Sequence, residues 1–180
     1  MFDENSATSL CYKLKKSKLN VKVYTGLDGL IKIATLNNVD TVVVAVDGMI
    51  GIRPTIEAIK KRKIIALANK ETLVCAGDII MPLVKKYKTE LRPIDSEHSA
   101  VWQSLVGEDN KTIKNIILTA SGGPFYNKKL KDLKNVKIED CLKHPNWKMG
   151  KKITIDSSTL VNKGLEVIEA HHFQFINKLK

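Results

Sequence analysis

What is scarce in this chain narrows its uses before any motif is read. Cysteine occurs only at Cys11, Cys75 and Cys141, an odd number, far apart and in no Cys-x-x-Cys pair. That excludes a disulfide framework and a thiolate zinc site, and leaves buried free thiols as the expectation. No apolar run approaches the roughly 18 residues of a membrane span. The start, Met1-Phe2-Asp3-Glu4-Asn5, has neither the basic nor the apolar region of a secretory leader. No membrane association is expected, and the cytoplasm is the expected compartment. Arginine is confined to Arg53, Arg62 and Arg92, although the 180 residues carry a net charge of +11. Arginine is the better reader of bases and phosphates, and the lysines, such as Lys13, Lys60, Lys85, Lys128 and Lys151, are spread over the whole chain. The charge reads as a solvated lysine-rich surface, part of which could serve an anionic small substrate; no specific nucleic acid is expected. No Gly-x-Gly-x-x-Gly, internal repeat or low-complexity segment occurs.

What is present is globular. With 43% hydrophobic and 27% charged residues, the chain is long enough for one good core or two small domains. From Val21 short β-branched runs alternate with helical stretches. Val21 to Tyr24 reads as a strand, Gly29 to Leu36 as a helix, Thr41 to Val46 as a strand, Pro54 to Lys61 as a helix and Ile64 to Ala68 as a strand. The later strands are apolar on both faces, as buried parallel strands are, so this part is expected to be a doubly wound sheet flanked by helices. Ligands of such sheets bind beyond the carboxyl ends of the strands. Asp47-Gly48-Met49-Ile50-Gly51 and Asn69-Lys70-Glu71-Thr72 stand there, readable as a nucleotide site or as ordinary turns and a helix cap.

A helix to about Lys88 and a strand tail, Leu91 to Ile94, lead to Asp95-Ser96-Glu97. In an extended backbone residues i and i+2 share a side, so the two carboxylates could aim at one point. Like charges so placed call for a hard cation or a shared proton; the same pattern also caps a following helix, here Ser96 to Leu105. Asn115 to Ala120 reads as a buried strand delivering Ser121-Gly122-Gly123-Pro124, either an anion pocket or a plain turn. Lys128 to Val136 reads as a solvated helix or loop. His144 to Gly150 brackets Trp147 and Met149 with Pro145 and Gly150, which suits a lid over a ligand or a loop pinned by its Trp. Lys152 to Ile155 reads as a strand, Asp156 and Ser157 as helix-cap candidates, and Leu160 to His172 as a helix. On that helix Asn162, Lys163 and Glu166 share a face. The face is either surface ion pairing or a third carboxylate with two anion donors.

Five stretches, Ala68–Val74, Pro93–Ala100, Leu118–Phe125, His144–Gly150 and Asp156–Glu166, together resemble the 1-deoxy-D-xylulose-5-phosphate reductoisomerase family, in its order and approximate spacing. The similarity runs from about Met1 to His171. It implies rearrangement and NADPH-dependent reduction of 1-deoxy-D-xylulose 5-phosphate to 2-C-methyl-D-erythritol 4-phosphate, in non-mevalonate isoprenoid biosynthesis. It implies metal ligands at Asp95, Glu97 and Glu166 for magnesium or manganese, with cobalt as a further option, acting as a Lewis acid. Substrate contacts are implied at Ser96, Glu97, Ser121, His144, Trp147, Met149, Ser157, Asn162, Lys163 and Glu166, with Ser121, Ser157, Asn162 and Lys163 forming the phosphate pocket and Ser96 touching the substrate chain. Catalytic roles are implied for Glu97, Lys70 and His144. Cofactor contacts are implied at Ala45, Asn69, Lys70, Glu71 and Gly150, and a homodimer for full-length members.

The expected organisation is a partial NADPH-binding Rossmann-type domain with a mostly parallel sheet over residues 1–91, a partial α/β metal-binding catalytic domain over 92–171, and an atypical tail, 172–180. The family's glycine-rich strand-turn-helix is expected upstream of Met1 and its C-terminal helical domain downstream. Asp47 stands where the family has a small or apolar residue, and Ser158 where it has alanine. Little or no NADPH oxidation by this chain alone is the expectation. The alternative is a truncated non-catalytic remnant that binds only metal or phosphate.

Overall fold

The structure, a computed structural model, describes residues 3–173. The chain divides into two compact units, Met1–Ser99 and Ala100–Lys180.

In the first unit, β1 (Thr41–Val44), β2 (Ile64–Leu67) and β3 (Leu91–Pro93) form a parallel sheet in the order β1-β2-β3. Thr41 pairs with Ile64 and Val44 with Leu67, and Ile65 pairs with Leu91. The crossovers are α3 (Ile52–Lys60) and α4 (Glu71–Tyr87), with α1 (Glu4–Lys16) and α2 (Gly26–Ala34) before the sheet. The fully buried Ile59, Ile65, Leu67, Leu73 and Ile80 form the core of this unit, but β1 lacks the cover on both faces that parallel strands ordinarily have: Val43 is 63% exposed. Pro54 lies in the first turn of α3, where a missing N–H costs nothing. Helix α4 deviates from helical geometry at Ala76, carries Pro82 inside, and ends at Lys88 in the left-handed conformation.

The sequence gives no reading for α1, which is polar and starts at an Asp3 cap accepting from the Ser6 N–H at 2.7 Å. Val21 to Tyr24 is not a strand; a β-branched run makes a strand only when a neighbour supplies a ladder. The thiols are also not buried: Cys75 is exposed and Cys11 and Cys141 are half-buried.

Helix α5 (Ser96–Ser104) contains the unit boundary. The second unit then holds α6 (Ile138–Cys141), α7 (Lys151–Ser158) and α8 (Val161–His172), joined by loops and short 3-10 turns. Its described residues form no strand. Asn115 to Ala120 runs without a ladder partner, and Ile117 is 82% exposed.

Lys152 to Ile155, expected as a strand, is the first half of α7. Strand propensity is overridden because this stretch satisfies its polar groups helically. Thr154 Oγ1 donates to the Gly150 carbonyl at 2.8 Å, Ser157 Oγ to that of Ile153 at 2.8 Å, and Lys152 pairs with Asp156 one turn on at 2.6 Å. Asp156 and Ser157 are thus inside α7 and do not cap α8, whose N-cap position is Leu160 at φ 60°. The tail from residue 174 onward lies outside the described residues.

Candidate functional site

In the first unit the loops at the carboxyl ends of β1 and β2 are tied by one side chain. Asn69 is 4% exposed, and its amide donates to the Val46 and Gly48 carbonyls at 2.5 and 2.9 Å. Its carbonyl oxygen accepts from the Thr72 N–H at 2.9 Å and from the Thr72 hydroxyl. Asn69 therefore brackets the turn after β1 against the start of α4. Glu71 in the first turn of α4 accepts from the same amide at 3.2 Å. Gly51 closes the bracket: a Cβ there would meet Val44 Cγ1 at 3.0 Å and Thr72 Oγ1 at 3.1 Å. Ala45 and Asp47 are exposed along this turn.

Lys70 is 5% exposed, and its ammonium meets the Asp95 carboxylate at 2.7 Å. Ser96 Oγ donates to Glu97 Oε2 at 2.6 Å. Glu97 is already in the first turn of α5, so the extended i, i+2 geometry expected from the sequence does not carry through it. The helix starts one residue after Asp95, and the two carboxylates are presented by a strand-to-helix corner.

In the second unit, α8 turns Asn162 and Lys163 onto Glu166. The Asn162 amide donates to Glu166 Oε1 at 2.5 Å and the Lys163 ammonium to Oε2, while Glu166 is 1% exposed. A buried carboxylate needs such partners. Glu169, one turn further, is fully buried as well, and so is His98 in α5. Sequence reasoning missed both, although the Glu166/Glu169 spacing of i, i+3 was a readable signal of a shared face.

The Ser121-Gly122-Gly123 turn packs on the end of α7. Gly122 and Gly123 have φ of 80° and 66°, and a Cβ on Gly123 would lie 2.5 Å from the Ser157 carbonyl oxygen. Only glycine allows that approach at that φ. Ser121 Oγ lies 3.0 Å from His144 Nε2 and accepts from the Gly123 N–H at 3.4 Å. His144 Nδ1 in turn accepts from the Asn146 and Trp147 N–H groups at 3.2 and 3.0 Å. Trp147 is 64% exposed and Met149 is at the surface, with Gly150 at the N-cap of α7.

Two family models match, one described as 1-deoxy-D-xylulose 5-phosphate reductoisomerase over residues 1–77, the other as the C-terminal domain of that enzyme over residues 91–174. The chain belongs to the 1-deoxy-D-xylulose 5-phosphate reductoisomerase family. The reductoisomerase of Lachnoclostridium phytofermentans is 61% identical over 171 residues, covering 95% of this chain and 44% of the relative. That of Agathobacter rectalis is 60% identical over 168 residues, again covering 44% of the relative. The chain thus spans less than half the length of these reductoisomerases.

A solved reductoisomerase in complex with NADPH, fosmidomycin and magnesium aligns with a TM-score of 0.83 at 41% identity, over 94% of this chain and 44% of that one. The Zymomonas mobilis enzyme in complex with NADPH aligns with a TM-score of 0.82 at 38% identity, over 96% of this chain and 44% of that one. The α/β fold expected from the sequence is that of these enzymes.

The donor chemistry suits a hard divalent cation. Asp95, Glu97 and Glu166 offer only carboxylate oxygens, the ligand type of magnesium and manganese rather than zinc. Within its own unit, each of Asp95 and Glu166 already holds a lysine ammonium against its oxygens, so positive charge is stabilised at both.

Proposed function

We propose that this chain carries the divalent-cation ligands, the phosphate pocket and part of the NADPH site for converting 1-deoxy-D-xylulose 5-phosphate to 2-C-methyl-D-erythritol 4-phosphate. The observation that carries the reading is the α8 face, where Asn162 and Lys163 converge on the buried Glu166. One short helix segment thereby supplies a cation ligand and two donors for an anion.

In this reading Asp95, Glu97 and Glu166 hold the cation, with magnesium, manganese or cobalt as candidates. When bound, that cation supplies Lewis-acid stabilisation of the negative charge that develops as the carbon skeleton rearranges. Ser96 contacts the substrate chain beside Glu97. Ser121, Ser157, Asn162 and Lys163 orient the phosphate, the lysine by charge and the others by hydrogen bonds. Lys70, buried beside Asp95, fixes that carboxylate and keeps a positive charge near the reacting end. His144, Trp147 and Met149 cover the substrate and exclude water. Ala45, Asn69, Lys70, Glu71 and Gly150 contact NADPH, Asn69, Lys70 and Glu71 near its nicotinamide half, where the Asn69 bracket fixes the turn after β1. Residues 1–91 serve the cofactor and 92–171 the cation and substrate. A cytoplasmic location and homodimeric full-length members belong to the same proposal.

A second reading is a binding module without turnover. Substrate-dependent NADPH oxidation with manganese, followed at the cofactor's absorbance, separates the two. Turnover abolished by Glu97→Gln supports catalysis by this chain; saturable manganese and phosphate binding without oxidation supports the module.

A further inference from the structure

The imidazole of His144 makes hydrogen bonds at both nitrogens, and their directions are not independent. Nδ1 faces two backbone N–H donors, those of Asn146 and Trp147 at 3.2 and 3.0 Å. A ring nitrogen that accepts must be bare, so in the neutral imidazole the proton sits on Nε2. Nε2 lies 3.0 Å from Ser121 Oγ, so the serine oxygen is the acceptor there. It accepts a second time from the Gly123 N–H at 3.4 Å. A hydroxyl has two acceptor lone pairs and one proton to give. With both lone pairs engaged, the Ser121 proton is turned outward, and among the described residues no protein group accepts it.

We infer that His144 is a positioning residue linking the 144–149 loop to the anion pocket: the loop's backbone fixes its tautomer, and the tautomer makes Ser121 a dedicated donor to a phosphate oxygen. This rests on the proposed phosphate pocket and adds how its serine is set. It also excludes a nucleophilic role for Ser121, because a base that already carries its proton toward the serine oxygen cannot remove the serine's own. The ligand class is a phosphate or phosphonate oxyanion, which accepts and has nothing to donate when fully ionised. The same ring connects Trp147 to that oxyanion through a single side chain, so filling the pocket and ordering the loop are coupled.

The test uses inorganic phosphate on the full chain carrying Trp102→Phe, so that Trp147 alone reports fluorescence. Nitrogen-15 spectra of the histidines are expected to show His144 as the neutral Nε2–H tautomer, and phosphate is expected to shift Trp147 emission. His144→Asn keeps an acceptor near Nδ1 but does not reach Ser121, and is expected to weaken phosphate about tenfold, the loss of one charge-assisted hydrogen bond. His144→Gln keeps the donor and loses the loop acceptor; phosphate affinity is expected to stay within about twofold while the Trp147 shift disappears. Ser121→Ala is expected to weaken phosphate as much as His144→Asn, and the double variant no further, since both act through one hydroxyl. An Nδ1–H tautomer, or identical behaviour of the Asn and Gln variants, overturns the inference while leaving the pocket intact. Absence of phosphate binding by the parent chain overturns the pocket and the inference with it.

Discussion

The two units bury different things. In the first, an aliphatic core of Ile59, Ile65, Leu67, Leu73 and Ile80 is fully enclosed around a parallel sheet. In the second, the buried residues among those described are Gly123, Thr154, Ser157, Ser158, Glu166, Glu169 and Ala170, while Ile117, Leu130 and Ile138 lie more than two-thirds exposed. A sheet with apolar faces organises itself by removing area from water, at roughly 25 cal/mol per Å². A helix pair whose interior is hydroxyl and carboxylate is organised by hydrogen bonds, each worth little net and costly to leave unmade. The first unit is therefore held mainly by apolar burial, and the second by polar groups that must find partners.

The contrast breaks most easily at the core. Ile65→Ala is expected to cost about 2–5 kcal/mol in urea unfolding, whereas Ile117→Ala is expected to change stability by less than about 0.5 kcal/mol. Equal effects would mean that the two units share one kind of core. A smaller change probes the polar interior. Gly123→Ala combines a φ of 66° with a close approach to the Ser157 carbonyl and is expected to cost about 1–3 kcal/mol in strain. Phosphate binding should fall with it, while far-ultraviolet circular dichroism of the sheet unit should be unaltered.

The smallest effect is at Asp140. The Lys137 backbone N–H, then the Lys143 side chain, hold its carboxyl below the ordinary carboxylate range. A lowered folded-state pKa gives stability that is present above the unfolded value and is lost as pH falls through the folded one. Fraying of α6 is therefore expected only in acid, below about pH 4. It is measurable by amide exchange at Asp140, with the buried face of α3 at Ala58 and Ile59 unchanged.

How much of this was legible in the sequence follows the same division. Thr41 to Val44, Ile64 to Leu67 and their crossovers were readable because short β-branched runs alternating with helical stretches leave an unambiguous pattern, although the two-sided burial that pattern suggests fails at Val43, which is 63% exposed. The α8 face was readable because i, i+3 and i+4 spacing is a property of any helix. Lys152 to Ile155 was misread because β-branched residues in α7 are held by hydroxyl-to-carbonyl bonds that no propensity scale contains. Asn115 to Ala120 was misread because a strand is a relation between two segments, and the described residues give it no partner. The Asn69 bracket and the direction of the His144 hydrogen bonds lie beyond pattern reading altogether, since each joins atoms whose geometry is set by packing.

The central claim is that Glu166, paired with Asn162 and Lys163, is a cation ligand together with Asp95 and Glu97. Manganese titration followed by electron paramagnetic resonance, on the parent chain and on Glu166→Gln, tests it most directly. The account predicts one saturable site in the parent chain and binding weakened at least about tenfold in the variant, the loss of an ionised oxygen ligand. Equal affinity in the two, or no saturable site in the parent chain, would contradict it.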